Sequence, residues 1–120
     1  MIEIGDRNLE IADFYNILFN KETIEISPKT TERIIASFDF LRDFSVGKTI
    51  YGVNTGLGPM AQYEIDSDDQ QKLQSNLIRS HAAGSGDILP DEYIKAMMVA
   101  RLRSLLLGYS GVHPDVIQLL

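Results

Sequence analysis

Tyr51 heads a run reading Tyr, Gly, Val, Asn, Thr, Gly, Leu, Gly from 51 to 58, with three glycines within seven residues. A backbone so rich in glycine either takes dihedrals that other residues avoid or must approach something closely. Two chemistries that glycine loops commonly serve fail here. A Walker loop needs Gly-Lys-Ser or Gly-Lys-Thr at its end, whereas Gly58 is followed by Pro59. The dinucleotide fingerprint needs Gly-x-Gly-x-x-Gly running straight into a helix, and Gly52, Gly56 and Gly58 have neither the spacing nor the helix. On position alone the segment reads as a tight turn that buries Tyr51 as a core aromatic.

His81 follows Gln74 by seven residues and Ile78 by three, so the three share one helix face, at the end nearest a loop of Gly84, Ser85 and Gly86. A neutral imidazole there can orient a polar ligand. On position alone, however, it reads as a satisfied, half-buried histidine near a helix C-terminus. His113, before Pro114, reads as a loop residue. Asp66, Asp68 and Asp69 resemble a metal cluster only until the helix start is noticed, where acidic residues complement the dipole. Arg101 and Arg103 cannot point the same way on a helix, and Met97 with Met98 reads as core filler.

Composition narrows the field. With no cysteine and only two histidines, a metal enzyme is a poor fit and a disulfide framework impossible. Eleven basic against seventeen acidic residues leave a net charge of −6, which repels a phosphate backbone and argues against nucleic acid. No apolar run approaches the roughly 20 residues that span a bilayer, so no membrane role is expected. The first residues lack the basic stretch and apolar core of a secretory signal, which makes cytoplasm the expected location.

The elements that must position these residues are mostly helical. Met1–Ile4 alternates like a short edge strand, and an apolar patch of Leu9, Ile11, Ala12, Phe14, Tyr15, Ile17, Leu18 and Phe19 predicts a helix from about Leu9 to Phe19. Thr23–Ile26 is a second strand, after which Ser27 and Pro28 supply an N-cap and a first-turn proline. That helix has Ile34, Phe38 and Leu41 as its stripe, Ile35 beside them and Gly47 as its stop. Ser67 with Gln70 is a capping-box signature for a third helix through Leu73, Leu77 and Ile78 to about Ala83. Pro90, Asp91 and Glu92 open a fourth, the longest and best-marked, with Ile94, Met97, Met98, Leu102, Leu105 and Leu106 apolar and Gly108 as its stop. Pro114 and Asp115 open a fifth that the sequence abandons at Leu119 and Leu120. The chain reads as one mainly α unit with two small strands and no repeat or linker.

Three motifs in order, YGVNTGLG at 51–58, LQSNLIRSHAAGSG at 73–86 and ARLRSLLLGYSGVHP at 100–114, resemble the aromatic amino acid ammonia-lyases, the histidine and tyrosine lyases in particular. The resemblance reverses the bland readings of Tyr51 and His81. It implies the amino-terminal helical domain of the ammonia-lyase (fumarase/aspartase-like) fold, a single domain over 1–120 of a longer enzyme, without the cofactor-bearing and central helical-bundle regions. Such enzymes carry a methylidene-imidazolone (MIO) formed from an internal Ala-Ser-Gly, and they assemble as homotetramers. The tripeptide is expected downstream: Ala83, Gly84, Ser85, Gly86 and Tyr109, Ser110, Gly111 do not supply it, so no cofactor-binding residue is expected here and the chain alone is expected to be inactive.

By the same resemblance Tyr51 is the catalytic base that takes a β-proton, on a loop that Gly52 and Gly56 let bend and Gly58 lets approach the substrate. Ser80 and His81 fall where the family contacts the substrate ring, and a hydrogen-bonding residue there suits imidazole or phenol better than phenyl. Leu57 departs from the aromatic residue usual in the family. The implied activity is non-oxidative elimination of ammonia from histidine, giving urocanate. A tyrosine lyase giving coumarate, an aminomutase, and a non-catalytic helical interaction module remain alternatives.

Overall fold

The computed structural model describes the backbone of residues 1–120 and all side chains except those of Met60, Ser67 and Asp68. It is mainly α, with β1 (Ile2–Ile4), α1 (Ile11–Leu18), β2 (Ile24–Ile26), α2 (Pro28–Phe44), α3 (Ser67–His81), α4 (Asp91–Leu105) and α5 (Pro114–Leu119). The chain divides into two compact units, one of 1–42 with 88–120, the other of 43–87.

The first unit is built around a two-stranded parallel sheet in which Ile2, Glu3 and Ile4 pair with Ile24, Glu25 and Ile26. Parallel strands need a crossover of a dozen or more residues, and α1 provides it. Asp13 fixes the start of that helix by accepting from the Glu10 backbone N–H at 2.8 Å and from both terminal nitrogens of Arg7 at 2.6 and 2.7 Å. Ser27 caps α2 as expected, its Oγ accepting from the Thr30 N–H at 3.1 Å. The core joins Ile2 and Ile4 of β1, Ile34 of α2, Leu102, Leu105 and Leu106 at the end of α4, and Ile117 of α5. Each such side chain stabilises by about 1.5–3 kcal/mol relative to exposure.

The apolar faces differ from expectation in an instructive way. Around α1, Leu9 just ahead of the helix and Ile17 within it pack against the core, while Ile11, Tyr15 and, just past its end, Phe19 are exposed, the rings of Tyr15 and Phe19 meeting at a tilt of 43° with centroids 5.0 Å apart. A patch wide enough to cover most of a short helix cannot all face one sheet. In α4 the buried positions are Val99, Leu102 and Leu105; Met97 is 63% exposed and is not core filler, and Ile94 and Met98 also reach the surface. Ile35 lies outside the α2 stripe, whose buried members are Thr30 and Ile34. At 17 residues α2 is longer than α4, at 15.

In the second unit the helix cap is Asp66, one residue before the expected Ser67, with the Asp69 and Gln70 N–H groups bonded to its carbonyl. Gln70 donates its side-chain amide to the Ile65 carbonyl at 3.1 Å. The side chains of Ser67, on which the expected capping box rests, and of Asp68 and Met60 lie outside the described residues.

Candidate active site

The candidate residues all fall in the unit of 43–87: Tyr51 and Gly58 on its loop, Ser80 and His81 at the end of α3. The loop is clasped from within. Asn54 Oδ1 accepts from the Ile50 N–H at 2.8 Å, its Nδ2 donates to the Lys48 carbonyl at 2.7 Å, and its own carbonyl accepts from Ile65 at 3.0 Å. Thr55, 3% exposed, bridges antiparallel to Glu64 and donates its hydroxyl to the Gly56 carbonyl at 2.8 Å. Asn and Thr side chains bonding to nearby backbone are a known way to hold a turn. These two residues organise the loop, and reading it for glycines alone passes them over.

Held this way, the loop turns Tyr51 outward: the residue is 64% exposed, so it is not a core aromatic. The left-handed dihedrals lie at Gly52 (φ +76°) and Gly58 (φ +57°). Gly56, expected to bend the chain, instead donates its N–H to the Tyr63 carbonyl at 3.2 Å beside the bridge. Open space lies where a Cβ of Gly52 or Gly58 would stand, so the backbone there presents a bare face. From Gly58 the chain enters a single 3₁₀ turn, Gly58–Met60, with Pro59 inside it.

Ser80 and His81 lie in the last turn of α3 and are both exposed. Their polar atoms meet: Ser80 Oγ is 3.0 Å from His81 Nδ1, and both approach the Leu77 carbonyl oxygen at 2.9 Å. The pair is thus brought together, while among the described residues no hydrogen bond joins it to Tyr51. A surface groove between Glu64 and Asn76 touches none of the four candidates.

Other residues take structural roles. His113 caps α5, its Nδ1 accepting from the Asp115 N–H at 3.2 Å, and its ring meets Phe38 edge-on at 4.7 Å. Arg103 donates to Asn8 Oδ1 at 3.0 Å, and Asp69 pairs with Lys72 at 2.9 Å. No described helix is long and apolar enough to cross a membrane.

Residues 9–120 match the sequence profile of the aromatic amino acid lyases. The chain is 40% identical over its whole length to a probable histidine ammonia-lyase of Thermoplasma acidophilum, covering 24% of that protein. It is 37% identical over 99% of its length to a tyrosine 2,3-aminomutase of Chondromyces crocatus, covering 23% of it. Its fold superposes on the ergothionase of Treponema denticola, solved with desmethyl-ergothioneine sulfonic acid, with a TM-score of 0.90 at 29% identity, over 98% of this chain and 24% of that one. The chain spans about a quarter of the length of these relatives.

Proposed function

From the premise that this chain belongs to the aromatic amino acid lyase family, we propose that it is the amino-terminal part of a cytoplasmic, homotetrameric histidine ammonia-lyase that converts histidine to urocanate. The observation that carries the reading is the outward-facing Tyr51 on a loop clasped by Asn54 and Thr55, a phenol exposed where a structural aromatic would be buried. An ordered loop that holds a proton acceptor in one place provides the positioning that general-base catalysis needs.

In this reading Tyr51 removes the substrate β-proton. Gly58 lets the backbone lie against the substrate, and Ser80 with His81 meets its ring. Residues 1–120 contain no Ala-Ser-Gly, so the MIO group belongs to another part of the protein, where it supplies the electrophile that makes the amine a leaving group. This chain's share is proton removal and ring recognition, and alone it is inactive.

The test follows ultraviolet absorbance of the full-length protein with histidine and tyrosine supplied separately, because elimination creates a conjugated acrylate. A rise with histidine is expected. A rise with tyrosine alone would move the substrate to the phenol. The similarity to a tyrosine 2,3-aminomutase favours a second reading, migration of the amino group without release. A β-amino acid product with no acrylate would decide for it and against elimination.

A further inference from the structure

His81 closes α3 with its ring nitrogen facing two oxygens. Nδ1 lies 2.9 Å from the Leu77 carbonyl oxygen and 3.0 Å from Ser80 Oγ, and the Ser80 hydroxyl donates to that same carbonyl at 2.9 Å. A carbonyl oxygen only accepts, so the approach of Nδ1 is favourable only when Nδ1 carries a proton. With its own proton given to Leu77, Ser80 turns a lone pair toward the same nitrogen and adds to that preference. A free neutral imidazole side chain favours the opposite tautomer, with the proton on Nε2, so the helix end works against the intrinsic bias. The other histidine provides a contrast: His113 Nδ1 accepts from the Asp115 N–H, which requires that nitrogen to be bare.

We propose that Ser80 is a positioning residue that, with the Leu77 carbonyl, holds neutral His81 in the Nδ1–H form, leaving Nε2 as a hydrogen-bond acceptor for the substrate ring. The inference rests on the reading of His81 as the ring-recognition residue. It assigns the site a polarity: the ring recognised there must donate, as an imidazole N–H or a phenol O–H does and a phenyl does not. Reading a donor with a bare acceptor rejects an analogue that lacks the donor far more strongly than apolar packing does.

The test is nitrogen-15 NMR of the full-length protein labelled at histidine, at about pH 8.5, where an ordinary histidine with a pKa of about 6.5 is neutral. Resonances are identified by their loss in His81→Gln and His113→Gln. His81 is expected to show a pyrrole-like Nδ1 and a pyridine-like Nε2, and His113 the reverse. In Ser80→Ala the His81 signals should move toward the Nε2–H pattern, and in Ser80→Thr they should return. An Nε2–H pattern for His81 in the unaltered protein, or a spectrum unmoved by Ser80→Ala, overturns the proposal. These spectra do not depend on turnover: an inactive full-length protein with Nδ1–H on His81 refutes the lyase reading alone, and an active one with Nε2–H refutes this proposal alone.

Discussion

Arg33 and Leu106 are 73 residues apart in sequence, yet the Arg33 guanidinium donates through Nη2 at 2.8 Å and Nε at 3.3 Å to the Leu106 carbonyl oxygen. That carbonyl stands just past the last residue of α4, where the helix leaves its acceptors without partners. The same guanidinium reaches the Gly5 carbonyl at 3.1 Å and Asp6 at 3.3 Å. One side chain of α2 thereby ties the exit of β1 to the end of α4.

Replacing Arg33 with Met keeps the aliphatic stem and removes every donor. Both carbonyls then lose a charged partner, and a loss of about 2 kcal/mol is expected in urea unfolding. Arg33→Lys should recover only part of it, because an ammonium cannot span several acceptors as the planar fork does.

Acid should weaken the first unit through two carboxylates. The Arg7 guanidinium and the Glu10 backbone N–H lower the Asp13 pKa from 3.8 to about 2, and the Ser27 and Thr30 hydroxyls, then Arg33, hold Asp6 below the same ordinary value. A folded-state pKa below the unfolded one gives stability that is full above the unfolded value and disappears as pH falls through the folded one. The denaturation midpoint should therefore drop between about pH 4 and pH 2. Asp13→Asn should flatten that limb, and salt should shrink the effect because the pair is solvated.

Core and surface apolar residues should separate sharply. Leu106 is fully buried, and Leu106→Ala is expected to cost about 3 kcal/mol. Met97→Ser should change stability by less than about 0.5 kcal/mol in this chain. Thermal melts of the two variants check both.

In the full-length enzyme Tyr51→Phe should lower kcat by about 10²–10⁴-fold while leaving the circular dichroism spectrum and the melting temperature unchanged. In the proposed reading the hydroxyl of the exposed Tyr51 contributes to chemistry and not to packing, so an active variant would remove Tyr51 from the role of base.

Much of this arrangement is legible in the sequence, and the losses have identifiable causes. Strand alternation at Ile2–Ile4 and Ile24–Ile26, the Ser27 cap and the left-handed Gly47 and Gly108, three residues past the ends of α2 and α4, are local signals, and local physics decides them. Which apolar residues are buried is decided by what each helix meets, so Met97, Tyr15 and Ile35 cannot be sorted from Val99, Ile17 and Ile34 by hydropathy. Asp66 stands at the cap one residue ahead of Ser67, and it is its carbonyl, not its side chain, that takes the first N–H groups, which a pattern of side chains does not reveal. For Tyr51 and His81, position alone gave the wrong burial. Ordered motifs gave the candidates, and the tautomer-setting contacts of Ser80 required coordinates.

The register of the small sheet sets Glu3 directly beside Glu25, on the solvent side, between isoleucines that face inward. Each strand has only three residues, and short strands carrying charge are poor templates for pairing with another chain. A third strand added in register would bring a third carboxylate into the same row. Like charges directly opposite repel, so the row disfavours a further acidic strand, and neutralising the carboxylates removes that penalty.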